Sequence, residues 1–351
     1  MRELSPVCRP PLQVLAAVVL GTLAGWGAAA LRLPLPWMLG PLFAVAVLRV
    51  CGVPLKPVSG GRQFGQWAIG TAIGLGFTPA VLAELVRHAP LITLIALTSV
   101  ALGLLAAAAL QRWGGVGAAT AFFAGLPGGA SEMVVLAQRM GGATDRVAAA
   151  HALRVLVVVS LIPFALQHWQ APLHAQLAAP AAWVDWSRFP LLVAVSLVGV
   201  ALFLLLKLSN PWILGALLGV GTLTACGVSL TALPGWLVNA AQLLLGLALG
   251  CRFSPDFFRA APRFMAVAAS STALILLLAG LLVLGLGHWQ GLPAASLLLA
   301  AAPGGMAEMG VTARELGLSV PMVTATHVIR VVLLTLVAPM LCRHYLAWRE
   351  R

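Results

Sequence analysis

Charge is what this sequence has least of. Only 9% of its 351 residues are charged, whereas 61% are hydrophobic, and the mean hydropathy is +1.01. A soluble domain of this length needs many more acids and lysines to cover its surface, so that class of protein is excluded. Apolar runs of membrane-spanning length recur from end to end instead. They predict an all-α integral membrane protein with several spans.

Chemical motifs are scarce as well. The five cysteines show no CxxC spacing, so neither a disulfide framework nor a zinc site is indicated, and no cofactor is expected. No nucleotide-binding loop and no nucleophile with a partner base is evident, so we do not expect an enzyme. The net charge of +12 does not indicate nucleic acid, because the basic residues lie in short loops between apolar runs.

The N-terminus has the outline of a signal peptide. Arg2 and Arg9 precede an apolar run that ends at Ala28, Ala29 and Ala30. The matching run in the second half of the chain is internal. We therefore interpret the first run as a retained span.

The two halves of the chain repeat each other at an offset of about 176 residues. Matched pairs include Trp37 with Trp212, Gln66 with Gln242, Trp113 with Trp289, and Pro163 with Pro339. The third run of each half carries glycines four apart, a spacing that lets membrane helices pack closely: Gly70 and Gly74, Gly246 and Gly250. The pattern predicts a duplication, with a first membrane repeat at 1–168, a linker at 169–189 and a second membrane repeat at 190–351.

Each repeat contains one apolar stretch that a straight helix cannot follow. The two stretches carry the same triplet, Pro127, Gly128 and Gly129 in the first and Pro303, Gly304 and Gly305 in the second. Proline lacks an amide donor and glycine loosens the backbone, so the helix breaks there. Broken backbone at membrane depth is tolerated only beside protein or a water-filled cavity. The break is either the tip of a re-entrant hairpin or the middle of a discontinuous spanning helix.

Basic residues favour one topology, because Lys and Arg accumulate on the cytoplasmic side. If each broken stretch crossed, the repeats would be parallel, with ten basic residues inside and nine outside. If each is a hairpin, the repeats are inverted, with fifteen inside and four outside: Arg32, Arg87, Arg188 and Arg314. The count leaves out two arginines within spans. It predicts two inverted repeats of about five transmembrane helices plus one re-entrant helix each, with both termini cytoplasmic.

Four charged residues lie where charge is costly. Glu132 and Glu308 follow the triplets, and Arg154 and Arg330 lie within the last run of each repeat. A charge at the bilayer centre costs roughly 2.5–3.5 kcal/mol, which implies a partner or an aqueous cavity. One interpretation is a structural salt bridge in each repeat, Glu132 with Arg154 and Glu308 with Arg330. The other gives the arginines an anionic substrate group and the glutamates a coupling proton or cation.

Neighbouring groups extend this candidate site. His151 and His327 lie one helical turn before the arginines and could shuttle protons or serve as structural hydrogen-bond partners. Free amides after each Pro-Gly-Gly would suit an anion. Ser131 adds a hydroxyl in the first repeat only, where the second has Ala307, so the site is not symmetric.

These paired motifs resemble those of a known family. A Pro-Gly-Gly triplet followed by Glu-Met, with His-x-x-Arg downstream in each half, is similar to the bacterial AbrB-family membrane proteins over nearly the whole chain. The family name implies regulation of gene expression, and the fold looks similar to inverted-repeat secondary transporters of the cation–proton antiporter and bile-acid-symporter type. Members are also labelled ammonia monooxygenases, but copper chemistry needs clustered histidines and DNA binding needs a soluble basic module.

Together, the residues and the resemblance predict a secondary transporter in the bacterial inner (cytoplasmic) membrane. Its solute would be a small anionic or zwitterionic molecule, bound at the two triplets, Ser131 and the two arginines. Protons or sodium would couple at the two glutamates and two histidines. The alternative is a membrane sensor that binds a ligand without net transport. The expected partners are the lipid bilayer, the solute and the coupling ion, with a homodimer left open.

Overall fold

The computed structural model of the chain describes residues 10–168, 184–255, 257, 261–290 and 292–349, and throughout these ranges the only regular structure is helical. The first repeat contains α1 (Pro10–Ala30), α2 (Pro36–Val50), α3 (Gly61–Gly74), α4 (Pro79–Arg87), α5 (Ala89–Trp113), α6 (Ala118–Gly125), α7 (Ala130–Arg139) and α8 (Thr144–His168). The second contains α9 (Phe189–Leu205), α10 (Pro211–Ala225), α11 (Gly235–Gly250), α12 (Pro262–Gln290), α13 (Ala294–Ala301), α14 (Met306–Glu315) and α15 (Val320–Arg349). The helices confirm the predicted apolar runs, whereas the chain termini and most of the predicted linker lie outside the described residues.

One predicted run is shorter than expected. The third run, expected over 62–78, ends as α3 at Gly74, and the chain then bends by 88° into α4. Thr78 precedes a proline, which disfavours helical geometry, and its hydroxyl accepts a hydrogen bond from the amide of Val81 at 3.4 Å. The sequence therefore starts a new helix instead of extending α3.

Helix length bears out the multi-pass character but not the number of spans. Among the described residues, five helices are long and apolar enough to cross a membrane, namely α1, α5, α8, α12 and α15, or six if α3 and α4 form one bent span. The helices α2, α9, α10 and α11 are apolar but shorter. A helix of 15 residues spans only about 22 Å of a hydrocarbon core of about 30 Å. The prediction of about five full spans in each repeat therefore stays a prediction.

The helices pack in two bundles that do not follow the repeat boundaries. Bundle A contains the first three helices of each repeat, α1–α3 and α9–α11, and bundle B contains the last four, α5–α8 and α12–α15. Helix α4 lies between them and contacts α5, α10 and α15. Each bundle thus takes about half of its helices from each repeat, so neither repeat forms a body of its own.

A reciprocal glycine seam joins the repeats inside bundle A. Gly70 of α3 lies against the backbone of Ile213 in α10, and Gly246 of α11 lies against the backbone of Met38 in α2. A Cβ added to either glycine would collide with the carbonyl oxygen of its partner. The two contacts are equivalent under the duplication, so an approximate two-fold axis relates the repeats here. The glycine spacing seen in the sequence is therefore a packing seam.

Candidate functional site

The first broken stretch, α6 with α7, is a helical hairpin. The hydroxyl of Thr120, near the start of α6, accepts a hydrogen bond from the amide of Ala143, just beyond the end of α7, at 2.9 Å. Gly142 also packs against Thr120 and Ala137. The start of the first arm and the end of the second therefore lie side by side. A helix that broke and then continued across the membrane would hold these residues far apart.

The second broken stretch, α13 with α14, has the same geometry. The amide of Ser319 donates a hydrogen bond to the hydroxyl of Ser296 at 3.2 Å, at positions that match Ala143 and Thr120. Both broken stretches thus enter and leave on one side of the fold. Of the two local geometries that the sequence allows, the structure has the hairpin in both repeats.

At each tip the chain becomes extended and leaves carbonyl groups without helical partners. Leu126 and Ala302, which end the first arms, have ψ angles of 138° and 139°. Gly129 and Gly305 precede the second arms in the same extended region. The last carbonyls of a helix need partners from outside it. In this fold the following long helix supplies them.

Arg154 of α8 binds the freed carbonyls of the first hairpin. Its Nη1 donates to Leu126 at 2.7 Å, and its Nη2 donates to Gly125 at 2.9 Å and to Ala124. The side chain is buried, with 4% of its surface exposed. A cation at the C-terminal end of a helix is also favoured by the helix dipole. This arginine thus fastens the hairpin to α8.

Arg330 of α15 does the same for the second hairpin. It donates to Ala302 at 2.7 Å and to Gly304 at 2.8 Å, and it is 2% exposed. Its Nη2 also lies 3.3 Å from Nδ1 of His327, whose Nε2 donates to the carbonyl of Leu299 at 3.1 Å. An Nδ1 that accepts and an Nε2 that donates define a neutral imidazole.

The matching histidine makes the matching bond. Nε2 of His151 donates to the carbonyl oxygen of Phe123 at 3.0 Å. Both histidines are buried and hold the first arm of their hairpin, which is the structural role considered for them from the sequence.

The salt bridges considered from the sequence are not formed. Across the ranges that the structure describes, neither Glu132 with Arg154 nor Glu308 with Arg330 makes an ion pair. The arginines bind backbone carbonyls instead. Because the break in the helix frees those carbonyls, the arginines have a structural task that neither interpretation of the sequence included.

The glutamates fold back over the tips. Glu132 and Glu308 are the third residues of α7 and α14, and a Cβ at Gly129 or Gly305 would overlap their carboxylates. Only glycine leaves room for this arrangement. Glu132 accepts a hydrogen bond from Nδ2 of Asn210 at 2.9 Å, and its Oε2 is buried without a partner. Asn210 leads into α10 of bundle A, so this bond crosses between the bundles.

A cavity of about 90 Å³ lies between the bundles, where the two tips meet. Bundle B lines it with both tips, Glu308, both histidines and both arginines. Bundle A contributes further polar residues: Arg62, Gln66, Asn210 and Arg252. Four arginines therefore face one small space. Across the described ranges, no group of three or more His, Cys, Asp or Glu side chains is placed to hold a metal ion.

Three residues of bundle A are the part of the site that the sequence did not reveal. The count of basic residues predicts Arg62 and Arg252 on the cytoplasmic side, and no pattern in the sequence marks Asn210. Arg62 lies four residues before Gln66, hence on the same helical face, and that spacing could have found it. Asn210 has a left-handed φ of 53°, and its counterpart Leu35 has a φ of 47°. The sequence does not predict this geometry.

Three predicted site residues lie outside this cavity. Pro127 is buried against Gly103 of α5. Ser131 lines a second, more open cavity of about 560 Å³, which we call the vestibule. Glu132 lies behind Gly129, on Asn210. The other predicted residues of both tips, with the paired histidines and arginines, line the cavity between the bundles.

The vestibule adjoins the cavity between the bundles, which we call the inner cavity. The two share Ala130 and Arg252. Its remaining lining comes from α7, α8 and Phe257, and it is mostly small and apolar, with Ser131 and Asp145 as its other polar residues. The two spaces are therefore neighbours, and Arg252 lines both of them.

Comparison with known proteins finds similarity along most of the chain. The family model described as "Transition state regulatory protein AbrB" matches residues 37–346, which contain both hairpins. "Putative regulator AbrB" of Escherichia coli (strain K12) is 25% identical over 337 residues, covering 95% of this chain and 97% of its own length. "Uncharacterized protein YhjN" of Bacillus subtilis (strain 168) is 29% identical over 329 residues, covering 86% of this chain and 85% of its own.

Proposed function

The chain belongs to the AbrB family, and from that premise we propose that it is a secondary transporter of a small anionic solute. It would act in the bacterial inner membrane and couple transport to protons or sodium. The single observation that carries the proposal is the cavity between the bundles, which gathers four arginines and two broken helices in one small space. Charged side chains inside a membrane bundle usually mark a pathway for a solute or an ion.

The hairpins support an inverted arrangement of the repeats. A stretch that returns to its starting side adds no crossing, so five crossings and one hairpin in each repeat would invert the second repeat relative to the first. The basic residues would then fall largely on one side, which favours cytoplasmic termini. Inverted repeats with broken helices meeting at the midplane are a recurrent design of secondary transporters.

The division into bundles supports alternating access. The cavity is lined by both bundles, so a shift of one against the other would open it first to one side and then to the other. A side-chain bond that crosses the interface, Asn210 with Glu132, would have to break and re-form during such a shift.

The position of Glu308 supports coupling of the anion to a cation. Its carboxylate lines the cavity and interacts electrostatically with Arg252. A proton or a sodium ion on Glu308 would cancel a negative charge beside the anion site and strengthen anion binding. By linkage, a bound anion would strengthen cation binding equally. Cooperative binding of the anion and the cation corresponds to symport.

A sensor that binds the same anion without transport is the second candidate. The observation that favours it is the regulatory wording in the name of the Escherichia coli relative and in the family description. In either case an effect on gene expression would pass through the transported or sensed molecule.

The test is uptake into proteoliposomes under an imposed proton or sodium gradient. The probes are labelled sulfate, phosphate, acetate, succinate and glutamate. We expect accumulation of at least one anion with one gradient, and its loss in Glu308→Gln. Arg139→Gln is the matched control, because it removes an exposed charge at the end of α7.

The outcomes separate the candidates. Binding of an anion without gradient-driven accumulation would favour the sensor. Full gradient-driven flux in a double variant, Glu132→Gln with Glu308→Gln, would contradict the coupling role of the glutamates.

A further inference from the structure

We propose that the inner cavity binds a compact oxyanion group of charge −2, such as sulfate or phosphate, with Arg62 and Arg252 as its specificity-determining residues. This inference rests on the proposed function for its site, but it names the ligand chemistry and assigns it to residues of bundle A. The group could be a free ion or the head of a larger molecule.

The charge of the site favours a dianion. Four arginines line the cavity together with Glu308, while Glu132 lies behind the first tip and His327 is held as a neutral imidazole. The charged side chains of the lining are therefore mostly cationic. A buried charge needs compensation, so a dianion offsets more of this positive charge than a monoanion does.

The arginines of bundle A are free to bind it. Within the described ranges, the side chains of Arg62 and Arg252 make no hydrogen bond and no ion pair within 4 Å, although both are half-buried and line the cavity. Each guanidinium carries five donors in a planar fork that matches the oxygens of phosphate or carboxylate groups. Two such forks that face one space and donate to no protein acceptor in these ranges form an anion site ready for a ligand.

The arginines of bundle B add positive charge but have less freedom. The Nη atoms of Arg154 and Arg330 are committed to the hairpin carbonyls. These two side chains are 4% and 2% exposed, so they contribute their charge to the cavity that they line without being free to move toward a ligand.

The size of the cavity selects a compact group. A dry cavity of roughly 150 Å³ holds benzene, with its six carbon atoms. By that scale a cavity of about 90 Å³ holds roughly four non-hydrogen atoms. A tetrahedral oxyanion, which has five, is close to that size, whereas a longer dicarboxylate would have to extend beyond the cavity. If the group belongs to a larger molecule, the remainder would extend past Arg252 into the vestibule.

The experiment uses the full chain, purified in detergent in a buffer without phosphate. Isothermal titration measures binding of sulfate, phosphate, acetate and nitrate at matched ionic strength. Phenyl phosphate, an organic monoester, distinguishes a free ion from a head group, because its ring would need the vestibule. We expect sulfate or phosphate to bind at least tenfold more tightly than acetate or nitrate.

The variants assign the binding to residues. Arg62→Gln and Arg252→Gln should each weaken oxyanion binding about tenfold or more and reduce the preference over acetate. Arg139→Gln should leave both unchanged. Retained thermal unfolding temperatures without ligand would show that the variants are folded.

Equal affinity for all four inorganic and carboxylate probes, or unchanged sulfate and phosphate binding in both variants, would overturn the inference. The inference and the proposed function fail separately. Oxyanion binding without gradient-driven uptake would refute only the transporter, and gradient-driven uptake of a monoanion without oxyanion binding would refute only the oxyanion.

Discussion

The two hairpins are alike in their frame and different in their surroundings. Each has its first arm held by a histidine and an arginine from the following long helix, through carbonyls at matching positions. Around this frame the repeats diverge. Glu132 is bound by Asn210, whereas Glu308 faces the cavity, and Gln66 lines the cavity while its counterpart Gln242 donates to Glu315 at 3.0 Å.

This difference distinguishes the residues that hold the hairpins in place from the residues that could recognise a ligand. The duplicated residues fasten the broken helices, a task that both repeats must perform. Two arginines that line the cavity have no counterpart of the same type. Arg62 and Arg252 match Val238 and Gly76 in the other repeat, so the cationic lining of bundle A is not a product of the duplication.

The largest effect should come from breaking the common frame. Arg154→Ala leaves three buried carbonyls without donors and Arg330→Ala leaves two, so we expect losses of roughly 3 kcal/mol or more in the free energy of unfolding. The loss should be larger for Arg154. Denaturant unfolding of the purified protein, with Arg139→Ala as control, measures it. Wild-type stability in both variants would mean that the arginines do not fasten the hairpins.

The glycine seam should give a smaller and symmetric effect. Gly70→Ala and Gly246→Ala each place a methyl group against a carbonyl of the other repeat, which should destabilise by about 1–3 kcal/mol. Gly285→Ala in α12 is the control, because nothing lies within 4 Å of the added Cβ. There the gain in helix propensity should stabilise by about 0.5–1 kcal/mol. Clearly unequal losses at the seam would argue against equivalent packing.

The two glutamates should differ in their effect on the ligand. Glu308→Gln removes a negative charge beside Arg252, so oxyanion affinity should rise roughly tenfold. Glu132→Gln should change it less, because Asn210 holds that carboxylate behind the tip. Isothermal titration of both variants with sulfate measures the difference. Equal affinities in Glu308→Gln and Glu132→Gln would show that the two carboxylates affect the ligand alike.

The smallest effect should come from the two hydrogen bonds that join the start and the end of each hairpin. Thr120→Val removes the acceptor for the amide of Ala143, and Ser296→Ala removes the acceptor for Ser319. We expect about 1 kcal/mol at the first and less at the second, where the bond is longer. Hydrogen exchange at the two freed amides reports the change. Unaltered protection at both amides would show that packing alone holds the start and the end of each hairpin together.

Much of this fold was predictable from the sequence, because helices in a membrane need apolar runs and broken helices need Pro and Gly. The runs, the breaks and the membership of the AbrB family, which the family model confirms, all rest on such local signals. The sequence predicts the hairpin geometry only through a count of basic residues. In the structure, the hydrogen bonds that Thr120 and Ser296 accept show this geometry directly.

What the sequence could not supply depends on contacts between distant segments. Arg62 and Arg252 resemble ordinary loop arginines until bundle A brings them to one cavity. Arg154 resembles a ligand-binding charge until α6 is seen to end against it. The bend after Gly74 and the left-handed Asn210 are local, but their importance comes from what they face. The homodimer and the coupling ion stay predictions.

The reciprocal seam also sets an order of events during synthesis. A chain made from its N-terminus completes α2 and α3 long before α10 and α11, against which their closest faces pack. Until then the glycine faces of the first repeat have no partner, and the first six-helix bundle cannot close. The first repeat can therefore complete its packing only after the second repeat has been made. A ribosome that stalls between the two would release a set of inserted helices, not half of a working protein.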